Sequence, residues 1–268
     1  MDSKDEDETM KVVILCGGKG TRLREETEYR PKPMVPIGGR PILWHIMRTY
    51  AAHGHTEFIL CLGYKGEVIK DWFRNLHWMM SDVRVTLGEG SSVEFYDDME
   101  ERGWSVTLAE TGEDTMTGGR IKRIEKYLGD DQEFLLTYGD GVSNVDINAS
   151  IEYHRSSGRT LTLTGVRPPG RWGELKIEGG QVTNFFEKPQ TSEGRINGGY
   201  FIANRSLFNY LDDDPMLVFE RAPLNSLSAD GELGCYSHDG FWQPMDTYQE
   251  FMMLNRLWND GEAQWKVW

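Results

Sequence analysis

The sequence predicts an α/β fold with a mixed, mostly parallel central sheet and small antiparallel elements in its C-terminal part. In the N-terminal half, short apolar runs bounded by glycine are typical of buried strands, and segments of helical period lie between them. In the C-terminal part, short apolar stretches alternate with Gly-rich turns, which indicates antiparallel or mixed pairing. The length allows one large domain or two small ones, and these patterns favour one.

The first elements follow one another as strand, loop, helix and strand. Lys11–Cys16 is a short apolar run, which predicts a buried strand, and Gly17–Leu23 is a glycine-rich loop. Pro41 begins a helix whose apolar residues share one face. Glu57–Leu62 is a second buried strand, and Gly66–Arg74 is helical. This order predicts a right-handed parallel unit.

The same reasoning extends to the rest of the chain. Further strands are predicted at Ser92–Tyr96, Ser105–Glu110, Glu133–Thr137, Thr160–Val166, Glu174–Ile177, Gln181–Phe186, Asn197–Ala203 and Cys235–His238. Further helices are predicted at Gly119–Leu128, Val145–Ser156, Ser206–Leu211, Pro223–Ala229 and Thr247–Asn259. Because no repeat or linker interrupts the pattern, residues 11–268 are expected to form one domain. The segment from about residue 205 is expected to complete the site and the oligomer contacts.

Charge limits the classes of partner. The 268 residues include 29 Lys+Arg and 43 Asp+Glu, a formal net charge of -14. Such a balance disfavours nucleic acid, because phosphate backbones select basic faces. Residues 1–10 hold five acids and one lysine without apolar periodicity, which predicts a disordered tail. With no signal peptide and no run near the ~20 apolar residues of a membrane span, no membrane partner is expected.

The three cysteines, Cys16, Cys61 and Cys235, lack CxxC spacing. A disulfide framework or a cysteine-based zinc site is therefore not expected, and a reducing cytoplasm fits best.

The loop Gly17–Leu23 is the first candidate site. Its glycines let the backbone approach a phosphate, and its amides, Lys19 and Arg22 can donate to that phosphate. A P-loop would need GK followed by Ser or Thr, and the dinucleotide fingerprint would need glycine where Leu23 stands. The alternative is a plain strand-to-helix turn. Downstream, Lys32 lies between two prolines, which would present it at low entropic cost.

Asp140 lies between two glycines at the end of a predicted strand. Ligands bind at the carboxyl ends of strands in open α/β sheets, and Mg²⁺ takes one or two carboxylates plus phosphate oxygens and water. Asp246 is the best candidate for a partner carboxylate. The alternatives are an ordinary Asp-Gly turn at Asp140 and a helix cap at Asp246 or Thr247.

Two further segments are candidates for a second substrate. Glu187 and Lys188 follow a predicted strand, and they would form either a surface ion pair or a phosphate site. Asn197 and Gly198 would form either a turn or a place where a sugar hydroxyl meets amide and backbone groups.

In their order along the chain, these motifs resemble the sugar-nucleotide pyrophosphorylases. Thr111–Arg120, Leu136–Val142, Phe241–Thr247 and the opening Val13–Ile46 resemble the glucose-1-phosphate cytidylyltransferase family more closely. The resemblance covers roughly residues 10–268. It implies an enzyme with a Rossmann-like nucleotidyltransferase fold, Mg²⁺ dependence, and a reaction of CTP with α-D-glucose 1-phosphate that gives CDP-glucose and pyrophosphate. It also implies a role in cell-surface polysaccharide (O-antigen) synthesis and a homo-oligomer, for which a hexamer is one candidate.

The resemblance also implies residue roles. Arg22 and Lys32 would be catalytic, and Asp140 and Asp246 would hold Mg²⁺. The sugar phosphate would be bound by Glu187, Lys188, Asn197 and Gly198. The nucleotide would be bound by Leu15, Cys16, Gly17, Gly18, Lys19, Gly20, Thr21, Arg22, Lys32, Thr115, Arg120 and Gly139. Cys16 stands where many relatives carry alanine, and little consequence is expected from it.

A sugar phosphate is already a competent oxygen nucleophile, which fits the absence of a convincing histidine or glutamate base. The expected reaction is in-line attack on the α-phosphorus of CTP, helped by positioning and charge neutralisation. Three alternatives stay open: the same reaction with UTP or dTTP, an inactive relative that binds nucleotide, and a binding module without nucleotide chemistry. Physical reasoning from the sequence does not place the hydrogen bonds that would select cytosine.

Overall fold

The computed structural model describes residues 9–18, 20, 22–96, 99–168, 174–178, 181–186 and 194–268. Its strands are β1 Lys11–Leu15, β2 Pro36–Ile37, β3 Arg40–Pro41, β4 Glu57–Leu62, β5 Val83–Thr86, β6 Ser92–Phe95, β7 Ser105–Glu110, β8 Glu133–Tyr138, β9 Gly141–Ser143, β10 Leu161–Val166, β11 Glu174–Glu178, β12 Gln181–Phe186, β13 Ile196–Asn204, β14 Leu233–His238 and β15 Trp242–Pro244. Its α-helices are α1 Arg24–Thr27, α2 Ile42–Ala52, α3 Gly66–Met80, α4 Thr117–Arg123, α5 Ile147–Ser157, α6 Ala222–Ala229 and α7 Tyr248–Asn259. Short 3-10 helices span Lys32–Met34, Glu125–Tyr127 and Arg205–Tyr210.

The central sheet has seven strands in the order β14-β10-β13-β8-β1-β4-β7. β1 pairs in parallel with β4 and β8, β4 with β7, and β10 with β14. Only β13 runs against its neighbours, pairing antiparallel with β8 and β10. The expectation of a mixed, mostly parallel sheet is confirmed, and β11–β12 and β15–β9 supply the small antiparallel elements.

Both faces of the sheet are covered, because alternate side chains of β1 enter different cores. Val12 and Ile14 belong to the cluster that packs under α2, α3, α5 and α7. Val13 and Leu15 belong to the cluster that packs under α4 and α6. This two-sided burial explains why β1 is a continuous apolar run without alternation. No helix in the described part of the chain is long and apolar enough to cross a membrane.

Several boundaries differ from those predicted. Gly119–Leu128 is not one helix: α4 ends at Arg123 and a 3-10 turn follows. The predicted helix Ser206–Leu211 is also a 3-10 helix. The hairpin strand β5 was missed, because its side chains are largely exposed and apolar burial gives no signal there. Met10, placed in the acidic tail by the sequence, is only 5% exposed and joins the core.

Tryptophans from the end of the chain and from α2 surround His45. We define the tryptophan cage as His45 with Trp44, Trp258, Trp265 and Trp268. The four indole rings surround the imidazole with ring centroids 4.6 to 6.1 Å away. Trp265 Nε1 donates to His45 Nδ1 at 3.3 Å, so His45 Nε2 carries the proton and donates to Ile37 O at 2.9 Å. Burial lowers the pKa of His45 to about 4. His45 is therefore a neutral core residue.

Candidate active site

Several loops that the sequence analysis identified as candidates lie together at the carboxyl ends of the parallel strands. β1, β4 and β8 are parallel, so the residues that follow them, Gly17, Gly63 and Gly139, lie side by side. β13 runs the other way, so its first residues, Ile196 to Gly198, meet the same edge. A cleft of about 900 Å³ opens there. The topology, more than any single loop, creates the site.

Arg22, Asp140 and Asp246 line this cleft, and Lys32 pairs with both aspartates. We define these four residues as the charged cluster. Lys32 Nζ donates to Asp140 Oδ2 at 2.7 Å and to Asp246 Oδ1 at 2.5 Å. Arg22 Nη1 lies 3.0 Å from Asp246 Oδ2, and its side chain is 72% exposed. Residues from three distant parts of the sequence therefore form one contiguous set of ion pairs.

Backbone pairing brings the two aspartates together. Pro244 of β15 lies opposite Gly141 of β9, and Met245 N donates to Asp140 O at 2.8 Å. Asp246 then precedes α7, whose capping box is made by Thr247 and Glu250. Of the two capping residues the sequence allowed, Thr247 is the one used. The Asp246 carboxylate is thereby left facing Lys32 and Arg22.

Lys32 is held as a cation. Burial is the largest influence and would lower its pKa, but the nearby carboxylates of Asp140 and Asp246 together outweigh burial, so the pKa of Lys32 is raised. Its side chain is only 11% exposed. The ammonium therefore stays charged and offsets the negative charge of the two carboxylates at this place in the cleft.

The glycine-rich loop is shaped by a buried arginine. The Arg120 guanidinium lies directly under Gly17, where a Cβ would come within 2.1 Å of its Cζ, and Gly63 leaves room for it on the other side. Arg120 donates to Leu62 O and Thr111 Oγ1, each at 2.8 Å. In this structure Arg120, assigned to the nucleotide through the resemblance, supports the loop from beneath.

The other predicted nucleotide contacts are backbone or small groups at the same edge. Leu15 and Cys16 are buried, so the loop presents their backbone rather than their side chains. Gly139 N donates to Leu15 O at 3.1 Å, and a Cβ on Gly139 would meet that oxygen at 2.8 Å. Thr115 is buried and accepts from Arg123 Nη1. Gly18 and Gly20 have positive φ. Lys19, Thr21, Glu187 and Lys188 lie outside the described residues.

At the other end of the cleft are Asn197 and Gly198, the predicted sugar contacts. Both residues lie in strand β13 and form no turn, and Trp242 Nε1 donates to Gly198 O at 2.7 Å. The structure adds Tyr138, Met253 and Arg256 to the cleft wall. The motif around Asp140 could have pointed to Tyr138. The α7 residues carry no such signal, because their place depends on how the helix packs.

Comparisons with known proteins identify the class. A family model described as "Nucleotidyl transferase" matches residues 11–247. A crystal structure of HddC from Yersinia pseudotuberculosis superposes with a TM-score of 0.66 at 24% identity, covering 93% of this chain and 100% of that one. The structural match shows a shared fold, and the family match places the chain in the class of the nucleotidyl transferases.

Curated relatives narrow the class. The glucose-1-phosphate cytidylyltransferases of Salmonella typhi and of Salmonella typhimurium (strain LT2) are each 50% identical over 259 residues. In both alignments, 97% of this chain and 100% of the relative are covered. The chain belongs to the glucose-1-phosphate cytidylyltransferase family, as its motifs predicted.

Proposed function

We propose that the chain transfers a cytidylyl group from CTP to α-D-glucose 1-phosphate, giving CDP-glucose and pyrophosphate. The observation that carries the proposal is Lys32, which is held between Asp140 and Asp246 and lies next to Gly20 of the glycine-rich loop. The names of the Salmonella relatives, which match this chain over their whole length, supply the nucleotide and the sugar.

The residues present fit a bound Mg²⁺. The oxygens of Asp140 and Asp246 that contact Lys32 Nζ share one nitrogen, so both carboxylates can reach one ion. The described residues hold no cluster of three or more His, Cys, Asp or Glu suited to a metal. Two carboxylates suffice for Mg²⁺, which fills its other positions with phosphate oxygens and water. Bound there, Mg²⁺ would supply charge neutralisation and orientation of the phosphates.

The protein's own groups would then do the following. Amides of the loop at Gly17, Gly18 and Gly20 receive the triphosphate, since glycine lets phosphate oxygens approach the backbone. Lys32 and Arg22 neutralise charge on the α-phosphate and the departing pyrophosphate. Asn197 and Gly198 orient the sugar so that its phosphate oxygen faces the α-phosphorus in line. Because this oxygen is already ionised, no group in the cleft has to remove a proton.

Two alternatives compete with this reaction. The same chemistry with UTP or dTTP would use the same cluster, since base choice depends on one or two hydrogen bonds. An inactive relative would bind CTP without turnover. The names of the relatives favour CTP, and the intact Lys32, Asp140 and Asp246 favour an active enzyme.

The deciding measurement is pyrophosphate release from CTP, UTP, dTTP, ATP and GTP, each with glucose 1-phosphate, with and without Mg²⁺. We expect CTP to be preferred and Mg²⁺ to be required. A preference for another nucleotide would overturn the choice of base. CTP binding without release would identify an inactive relative.

We also propose a cytoplasmic homo-oligomer built from one domain, residues 11–268. The three cysteines, all free, support a reducing compartment. Exposed apolar side chains near the β5–β6 hairpin support self-association, Trp78 being 50% exposed and Leu87 86% exposed. Light scattering after gel filtration measures the copy number, and a hexamer is one candidate outcome.

A further inference from the structure

A chain of hydrogen bonds crosses the sugar end of the cleft and ends on Glu220. Tyr138 Oη donates to Glu220 Oε1 at 2.5 Å, and Asn197 Nδ2 donates to Tyr138 Oη at 3.3 Å. On the other side, Thr117 Oγ1 donates to Glu220 Oε2 at 2.7 Å. Tyr138 and Asn197 both line the cleft. Thr117 is the first residue of α4, the helix that carries Arg120.

The direction of every bond in this chain is determined. A carboxylate only accepts, so Tyr138 and Thr117 must both donate to Glu220. Phe219 N donates to Thr117 Oγ1 at 2.9 Å, and Gly199 N donates to Asn197 Oδ1 at 2.8 Å. Burial and the Glu220 carboxylate raise the pKa of Tyr138, so its hydroxyl keeps the proton it donates.

The geometry around Tyr138 leaves little freedom to rearrange. Its ring lies against Gly199, where a Cβ would come within 2.5 Å of the ring. Gly199 has a φ of +80°, a conformation that L side chains rarely adopt. Glycine at this position therefore lets the tyrosine reach Glu220 and Asn197 together.

These bonds determine which hydrogen of the Asn197 amide is left to bind a ligand. Its oxygen accepts from Gly199 N, and one Nδ2 hydrogen goes to Tyr138. Among the described residues, no contact uses the second Nδ2 hydrogen. We propose that Glu220, acting through Tyr138, is a positioning residue that holds Asn197 as a hydrogen-bond donor to one hydroxyl oxygen of the sugar. This inference rests on the proposed function and names residues that select the sugar.

The test combines variants with altered sugars in full-length protein. Wild type, Tyr138→Phe, Glu220→Ala and Glu220→Gln are assayed with glucose 1-phosphate and with its 2-, 3-, 4- and 6-deoxy forms. Wild type should lose about tenfold in kcat/KM with one deoxy sugar, since one neutral hydrogen bond is removed. With glucose 1-phosphate, Tyr138→Phe should have a kcat/KM about tenfold below that of wild type. With that deoxy sugar, the kcat/KM of Tyr138→Phe should fall by less than about a further twofold, because the contact is already lost.

The variants of Glu220 separate positioning from general damage. Glu220→Ala should lower kcat/KM by the same factor as Tyr138→Phe. The double variant should lower kcat/KM no more than either single variant, because both changes break the same chain of hydrogen bonds. Glu220→Gln should restore most of the activity, since its amide oxygen can accept from Tyr138. Tyr127→Phe, which removes a surface hydroxyl elsewhere, is the matched control and should keep the wild-type pattern. The KM for CTP should change by less than about twofold in all of them, since the chain contacts the sugar end.

The affinity for CDP-glucose tests the contact to the sugar without turnover. Calorimetry should show that Tyr138→Phe weakens CDP-glucose about tenfold while leaving CDP unchanged, because only the sugar contact is lost. If the active wild type and Tyr138→Phe share one deoxy-sugar pattern, the inference is overturned and the proposed function stands. A wild type that neither releases pyrophosphate nor binds CDP-glucose overturns both.

Discussion

The charged cluster and the tryptophan cage are two places where this protein buries a basic side chain, and they treat it in opposite ways. Two carboxylates compensate Lys32, so its pKa is raised although it is largely buried. Aromatic rings and one carbonyl surround His45, so burial lowers its pKa to about 4. The first stays charged and opens on a cleft, whereas the second stays neutral and closed. The presence of compensating charge distinguishes the candidate site from the core.

The helix α7 connects the two regions. It begins next to Asp246 and carries Trp258 near its end. The same helix therefore borders both regions. The predictions below test each region and then this link, in order of decreasing effect.

The largest effect is expected from Lys32→Met. Loss of the ammonium that both aspartates share should lower kcat/KM by about 10³-fold, since charge on the phosphates is no longer offset. The same change should increase the thermal stabilisation given by Mg²⁺, because the competing cation is gone. Lys70→Met, which removes an exposed lysine paired with Glu110, is the control. Equal activity of the two variants would show that Lys32 serves only the fold.

Asp140→Asn should follow. We expect a loss of at least about 10²-fold in pyrophosphate release, because a neutral amide is a poor Mg²⁺ ligand. Asp146→Asn, at the cap of α5, removes a carboxylate outside the cleft and should leave turnover unchanged. Circular dichroism checks that both variants are folded. Near-wild-type turnover in folded Asp140→Asn would refute the metal assignment.

The tryptophan cage should respond to pH rather than to substrate. The unfolded chain binds a proton at His45 below its ordinary pKa of about 6.5, whereas the folded chain resists until about 4. The free energy of unfolding should therefore fall by on the order of 2–3 kcal/mol as pH drops from 6.5 to 4.

Urea denaturation at several pH values measures this slope. His45→Gln should lower stability at neutral pH and remove its share of the slope, whereas His53→Gln, at the end of α2, should keep that share. A slope that is identical in wild type and His45→Gln would contradict a neutral, buried His45.

The smallest effect is expected at the link. Thr247→Ala removes the side chain that accepts from Glu250 N and should lower stability by about 1 kcal/mol. Thr247→Ser keeps the oxygen and should restore most of it. Chemical denaturation measures both variants. An unchanged midpoint in Thr247→Ala would show that the start of α7 is held by other contacts.

The sequence by itself determined the class of fold and the order of the site motifs. The strands β4, β7 and β12 lie where the pattern placed them, because apolar runs bounded by polar turns report local structure directly. The motifs around Lys32 and Asp140 also placed both residues at the candidate site, where they contact each other, and their catalytic and metal-binding roles stay predictions.

Only the tertiary structure decided which groups meet. Lys32 and Asp246 are 214 residues apart, and pairing of β9 with β15 brings Asp140 to both. The same holds for Arg120 under Gly17, for Glu220 behind Tyr138, and for His45 among the tryptophans. The spacing of apolar residues along the sequence indicates which face of a helix or strand is buried. It does not indicate which distant polar group lies against that face. These contacts depend on sheet order and helix packing, which a single sequence does not encode locally.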